Sequence, residues 1–292
     1  MEKFAVIDVG SNSVRLMVVA DGKVLYKTLE TTQLGEGIAA RPVLGEAPME
    51  RTARAIASFA LRAKEEGAKA VYGFATAAVR SAENREVFLK KVQELCALSL
   101  EVVSGETEAE LGLLGALGGR DGGIVDIGGA STELVVRQDG ETMYEKSVDI
   151  GVVRLKDACG RDLQSLRSAS KIAIEQYGEV PCVKELTAIG GTATTLAALA
   201  LGLTKYDGNK VTGHILSRED LENLAQKIAA LSVDELAKNP CIPRKRAEVL
   251  LGGAVLLAEI TKAFSIERLV VSDSDNLEGY ALWKGLLTRG QV

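Results

Sequence analysis

The chain has a single histidine, His214, in 292 residues, and its four cysteines (Cys96, Cys159, Cys182, Cys241) stand far apart with no CxxC spacing. That poverty excludes the usual zinc sites, redox dithiols and disulfide frameworks, and leaves four thiols expected to be buried. His214 lies in the polar stretch VTGHILS beside no nucleophile, so Ser-His-Asp and Cys-His catalysis are disfavoured. The N-terminus, MEKFAVIDVG, is acidic at once and has only a short apolar run before Asp8. It predicts neither a signal peptide nor a spanning helix, and so a cytoplasmic protein with no membrane partner. Positive charge is also in deficit, with a formal net charge of −5. Without a basic face to displace counterions, nucleic acid is not an expected partner. An anionic substrate must be gripped locally, and carboxylates and backbone amides must carry the chemistry.

Hydrophobic residues make up 47% and charged residues 26% of the chain, enough to fill cores without a scaffold of crosslinks. The length suits two cores better than one. An internal repeat supports this. Residues 4–27 align without a gap on residues 122–145, with eight identities in 24 positions, where average composition gives roughly one or two. Asp8 meets Asp126, Gly10 meets Gly128, Ser13 meets Ser131, and Asp21-Gly22 meets Asp139-Gly140. Each copy reads as a buried strand, a Gly/Ser turn, a returning strand, an Asp-Gly hairpin turn and a third strand.

After each triplet the pattern changes to alternating helix and strand. Helices are predicted near 48–66, 82–97 and 106–118, with strands near 69–74 and 99–103 between them. The second half predicts helices near 162–177 and 191–202 around a strand at 184–189, helices at 217–231 and 243–264, a strand at 267–271 and a last helix at 276–288. The expected fold is therefore α/β, two duplicated βββαβαβα domains flanking a cleft. Residues 1–118 form the first and 119–292 the second. The second carries a helical insertion at about 203–264. The last helix is expected to pack back on the first domain.

A lone Asp-x-Gly-x-x-Ser turn would be an ordinary hairpin turn. The same turn twice at matching positions points to one ligand held from both sides. In DVGSNSVRL and DIGGASTEL, small residues let N–H groups converge on an anion, with Ser11, Asn12, Ser13, Ser131 and Thr132 adding donors around Gly128, Gly129 and Ala130. Asp8 and Asp126 cannot face phosphate bare, and two carboxylates plus substrate oxygens suit Mg²⁺, or Mn²⁺ in its place. Gly190, Gly191 and Thr192 open a helix after a strand, where amides and dipole attract phosphate.

The segments FAVIDVGSNSVRLMV, GFATAAVRSAENREVFL, EVVSGETEAELGLLGAL, IVDIGGASTELVV, LTAIGGTATTLAAL and LSREDL together resemble the exopolyphosphatase/guanosine pentaphosphate phosphatase family. That family lies within the actin, sugar-kinase and heat-shock ATPase superfamily, so the resemblance implies actin-like, ribonuclease H-like domains. It implies that Glu108, in SGETEAEL, is the catalytic glutamate, with Glu106 and Glu110 its rivals. Arg80 matches a family arginine that resembles a phosphate clamp. Glu133 matches a position reaching metal-bound water, which puts it with Asp8 and Asp126 in the metal set. Arg15 follows the first turn and either points at the cleft or sits beneath the sheet.

Two departures stand out. GGAS replaces the family's GGGS, so Ala130 is expected to narrow the phosphate site, and SDSDNLEG replaces a pattern resembling SDxGLREG, putting Leu277 at its arginine. The run Pro243-Arg244-Lys245-Arg246 could attract a polyanion, but reads first as a helix start with a solvated basic face. The resemblance implies a Mg²⁺-dependent phosphoanhydride hydrolase releasing terminal phosphate from polyphosphate, in short chains, or from guanosine pentaphosphate. A non-catalytic sensor of polyphosphate or guanosine tetraphosphate, and a sugar or acetate-type kinase, are the alternatives. A homodimer is compatible with the sequence.

Overall fold

The computed structural model describes residues 2–38 and 40–288. The first half runs β1 (Lys3–Val9), β2 (Ser13–Ala20), β3 (Lys23–Thr31), α1 (Glu46–Glu65), β4 (Ala68–Ala75), α2 (Ala77–Ser81), α3 (Arg85–Cys96), β5 (Glu101–Val102) and α4 (Gly105–Leu117). The second runs β6 (Gly122–Ile127), β7 (Thr132–Gln138), β8 (Glu141–Val148), α5 (Val152–Cys159), α6 (Leu163–Ile174), β9 (Glu185–Ile189), α7 (Gly190–Ala200), α8 (Gly208–Val211) and β10 (Ile215–Ser217). It ends with α9 (Arg218–Ala230), α10 (Val233–Leu236), α11 (Arg244–Ala263), β11 (Arg268–Val271) and α12 (Asn276–Trp283).

The duplication is visible in strand order. The first sheet is β3-β2-β1-β4-β5, and the second repeats it as β8-β7-β6-β9-β11 with β10 added at the edge. In each, three antiparallel strands lead into parallel partners, β4 beside β1 and β9 beside β6. β1 and β6 are thus central and buried, which is why their sequences are continuous apolar runs rather than alternating ones. The Asp-Gly turns keep their backbone as well: Asp21 and Gly22 have φ of 50° and 75°, Asp139 and Gly140 of 54° and 79°. Positive φ at both central positions matches the right-handed twist of the strands they join.

The last helix of each half leans on the other half. Ala109, Leu113, Ala116 and Leu117 of α4 pack with Ile124, Val135 and Ile189 of the second sheet. Leu277, Tyr280 and Ala281 of α12 pack with Val6, Met17, Val19 and Phe74 of the first. Tyr280 and Phe74 stack with centroids 4.6 Å apart, a geometry worth about 0.5–1.5 kcal/mol beyond its buried area. The two helices cross at glycine. A Cβ on Gly115 would lie 1.8 Å from Asp275 O, and one on Gly279 would lie 1.8 Å from Leu111 O, so only glycine lets these backbones approach so closely.

Three local expectations change. The helix expected over 82–97 starts later, at Arg85, and an unexpected short helix, α2, precedes it, because Ala82 is extended (ψ 130°) between the two. Asn84 pins this break by exchanging two hydrogen bonds with the backbone of Leu44. An unanticipated helix, α5, starts after Gly151, where its first amides bond to the second Asp turn, Val152 N–H to Gly128 O at 3.0 Å and Val153 N–H to Gly129 O at 2.8 Å. The cysteines are not core thiols: Cys182 is exposed in the irregular segment before β9, and the other three are half-buried.

Candidate active site

β1 and β6 end one residue past their aspartates, and the turns that follow abut. A Cβ on Gly129 would lie 2.6 Å from Ser11 Cβ and 3.0 Å from Asn12 N. Each turn closes with the same hydrogen bond, Gly10 N–H to Ser13 O and Gly128 N–H to Ser131 O, both at 3.0 Å. Around them opens a cleft of about 660 Å³, within the roughly 300–1,000 Å³ of small-ligand sites. Asp8, Asp126 and Glu108 line it together with Ser11, Asn12, Ser13, Arg15, Gly128, Gly129, Ser131, Gly190 and Gly191.

Five of the predicted site residues do not line this cleft. Ala130 turns its methyl into the apolar cluster around Val9, Val14, Leu34 and Ala77, so it does not narrow the space beside the turns. Thr132 donates its hydroxyl to Ile150 O at 2.6 Å, and Thr192 donates to Ile127 O at 3.3 Å. Glu133 is buried beside the cleft, accepting from Ser147 Oγ at 2.6 Å. Arg80 lies behind Glu108. Its Nη1 donates to Glu108 Oε2 at 2.8 Å and to Val103 O at 3.1 Å, while its outer side faces a separate hollow with Arg85 and Ser104.

Glu108 reaches the cleft from the first turn of α4. Ser104 caps that helix by accepting from Thr107 N–H at 3.1 Å, and Gly118 ends it in the left-handed region. Arg15 does line the cleft, but its guanidinium is engaged. Nε and Nη2 donate to Asp8 Oδ2 at 2.8 and 2.5 Å, and Nη1 bonds Asp275 Oδ2. Sequence reading missed several lining residues: Lys27, Thr76, Tyr206, Arg246, Asp273, Asp275 and Asn276. For Arg246 the signal was the basic run at 243–246, read as solvated. Instead α11 carries the guanidinium over Gly191, where a Cβ would sit 2.4 Å from Nη2, and among the described residues no carboxylate is close enough to pair with it. Burial, followed by repulsion from Arg15, pushes Arg246 down to about 10.

The carboxylates show strong mutual repulsion. Burial, then Asp275, pushes Asp126 up to about 7, with Arg15 opposing. Burial, followed by Glu108 and Asp126, drives Glu133 well above the usual range. Glu108 is raised by burial despite Arg80, and Asp8 by burial despite Arg15. Asp8 Oδ1, Asn12 Oδ1, Glu133 Oε2 and Asn276 Oδ1 are buried with no partner among the described residues. Hard oxygen donors with open lone pairs beneath a shared negative charge fit Mg²⁺ or Mn²⁺. They do not form a ready cage, because no three acidic, histidine or cysteine side chains among the described residues converge on one point. Asp8, Asp126 and Glu133 therefore could hold an ion only with water or substrate completing its shell.

No described helix is long and apolar enough to cross a membrane. The chain is 31% identical to exopolyphosphatase 2 of Mycobacterium tuberculosis over 97% of its own length and 98% of the relative's. It is 26% identical to the guanosine-5'-triphosphate,3'-diphosphate pyrophosphatase of Photobacterium profundum, covering 94% of this chain but 58% of that longer protein. Among solved structures, an exopolyphosphatase-like protein superposes with a TM-score of 0.90 at 28% identity, covering 97% of this chain and 98% of the other. The Aquifex aeolicus member of the Ppx/GppA family gives 0.78 at 27%, covering 98% of both. Matched by that family over residues 7–285, and sharing its fold from end to end, the chain belongs to the Ppx/GppA phosphatase family.

Proposed function

We propose that this phosphatase removes the terminal phosphate of inorganic polyphosphate, in short chains, or of guanosine pentaphosphate, with Mg²⁺ or Mn²⁺ in the cleft. The names of its relatives, exopolyphosphatase and guanosine-5'-triphosphate,3'-diphosphate pyrophosphatase, describe hydrolases of phosphoanhydrides. The observation that carries the reading is the meeting of Glu108 with Asp8 and Asp126 along one cleft that also holds both Gly/Ser turns. Its volume suits a few phosphates or one nucleotide better than a long polymer.

In this reading Asp8, through Oδ1, and Asp126 hold the cation, with Glu133 behind them. When bound, the metal neutralises charge on the phosphates. The amides and hydroxyls of Ser11, Asn12, Ser13 and Ser131 orient the phosphate. Gly190 and Gly191 add amides at the N-terminus of α7, and Arg246 supplies a cation that no carboxylate among the described residues claims. Glu108 accepts the proton of the attacking water, and burial, by raising its basicity, suits it to that task. Arg80 keeps its carboxylate pointed at the cleft. Residues 1–118 and 119–292 act as two lobes around the substrate, and the 203–264 insertion carries Arg246 to it. A cytoplasmic location and a homodimer belong to the same proposal.

Phosphate release measured side by side on short polyphosphate, long polyphosphate, guanosine pentaphosphate and ATP, with and without Mg²⁺, tests the reading. Release into water without an acceptor rules out the kinase and sensor alternatives, and no release from any of these substrates rules out the hydrolase. Glu108→Gln is expected to lower turnover by about 10²–10⁴-fold with substrate binding largely kept. Near wild-type turnover would remove Glu108 from the mechanism.

A further inference from the structure

Two consecutive residues at the start of α12 each reach one of the duplicated aspartates. Asp275 Oδ2 holds Arg15, whose Nε and Nη2 grip Asp8 Oδ2. Asn276 Nδ2 donates to Asp126 Oδ2 at 3.3 Å. One helix end therefore touches the chemistry of both halves. It is also fixed against the helix that carries Glu108, through the glycine crossing at Gly115 and Gly279. Gly112 completes the fit, since a Cβ there would lie 2.8 Å from Asn276 Oδ1.

We infer that Asp275 and Asn276 are positioning residues that set how Asp8 and Asp126 present their oxygens to the cation; the inference rests on the proposal that these aspartates hold one. Asp275 divides its carboxylate between two tasks. Oδ1 caps α12 by accepting from Leu277 N–H at 3.0 Å, and Oδ2 draws Arg15 to one side. Arg15 is thereby confined to a single oxygen of Asp8 and leaves Oδ1 without a partner among the described residues. Without Asp275's charge, Arg15 is free to fork across both Asp8 oxygens, the geometry a guanidinium prefers on a carboxylate, and so to compete with the cation. These two residues occupy the glycine and leucine positions of the SDxGLREG pattern, so the clamp is a feature of this chain and not of the pattern.

Asp275→Asn is the cleanest test, because asparagine caps a helix as well as aspartate. Calorimetric titration with Mg²⁺ alone, run well below the melting temperature of the variant, should show affinity about 10–100-fold weaker than wild type, as for other residues that orient metal ligands. Phosphate release should recover as Mg²⁺ is raised, a rescue that a general packing defect does not allow. Asn276→Ala should shift the titration in the same direction through Asp126. Equal Mg²⁺ affinity in wild type and Asp275→Asn, or lost stability with affinity intact, overturns the clamp and leaves the proposed function standing. A wild-type protein that takes up no Mg²⁺ overturns the cation reading and the clamp together.

Discussion

The two Asp turns share a backbone and differ in what faces the aspartate across the hairpin. In the β1/β2 pair the residue opposite Asp8 is Arg15, and in the β6/β7 pair the residue opposite Asp126 is Glu133. Turn hydrogen bonds, strand order and Asp-Gly corners are otherwise repeated. The first half thus satisfies one oxygen of its aspartate from within, at the expense of that oxygen's availability. The second half sets a carboxylate against a carboxylate, in a buried, acidic setting: burial and then Asp275 push Asp126 up to about 7, and burial, then Glu108 and Asp126, drive Glu133 well above its usual range. Duplication kept the scaffold and let the electrostatics diverge, with a fixed cation on one side and on the other a negative charge offset only by a proton or a bound cation.

Removing the fixed cation should have the largest effect. Arg15→Gln strands the buried carboxylates of Asp8 and Asp275, whose side chains are 4% and 7% exposed. Breaking a buried pair from one side costs about 3–5 kcal/mol, which urea denaturation at neutral pH should register. A loss below about 1 kcal/mol would mean that Arg15 is solvated and the halves are less different than their geometry implies.

The next effect belongs to the second half and depends on pH. A carboxyl whose folded pKa lies above its unfolded value binds a proton in the folded state that the unfolded chain releases. Its stabilisation is complete below the unfolded pKa and is lost as pH rises through the folded pKa. For Asp126 the window runs from its ordinary 3.8 to about 7, and the metal-free protein should lose up to about 1 kcal/mol per pH unit across it. Mg²⁺ should flatten the curve. Melting curves from about pH 5 to about pH 8, with and without Mg²⁺, check both; stability that climbs with pH in the metal-free protein would contradict the clustering of charge in this half.

Most of the scaffold was legible in the sequence, because strands, Asp-Gly corners and the two central aspartates are local signals and the repeat doubled each of them. Glu108 entered through family resemblance, its own spacing favouring a helix-dipole residue. What sequence could not show were partners brought together by the crossing of α4 and α12. Asp275 and Asn276 are an ordinary helix cap until the tertiary fold sets them beside Arg15 and Asp126. Arg246 belongs to a basic run whose exposed members, Arg244 among them, behave as expected of a solvated face. Only the direction of α11 over Gly191 singles it out. Ala130 went the other way: its place in the turn suggested contact with ligand, but backbone direction takes the methyl into the core.

The smallest expected effect isolates the difference between the turns. Glu133→Gln alters the partner of Asp126 as Arg15→Gln alters that of Asp8, so a symmetric duplication would predict equal penalties. Glu133's carboxyl is driven well above the usual range, chiefly by burial and then by Glu108 and Asp126, so the metal-free fold favours its neutral form. Glutamine then replaces a neutral group of the same shape, and its amide oxygen can still accept from Ser147 Oγ, now 2.6 Å from Glu133 Oε1. With the hydrogen bond conserved and only the disfavoured charged form removed, stability should change by no more than about 1 kcal/mol. The pH slope should shrink as well, since a carboxyl that is raised in the fold, and so releases its proton more readily on unfolding, is gone. Urea denaturation of the two glutamine variants at about pH 6 and about pH 8 makes the comparison. A penalty for Glu133→Gln that matches the roughly 3–5 kcal/mol of Arg15→Gln would show that Glu133 is held ionised by a partner of its own, and the contrast between the two halves would then fail.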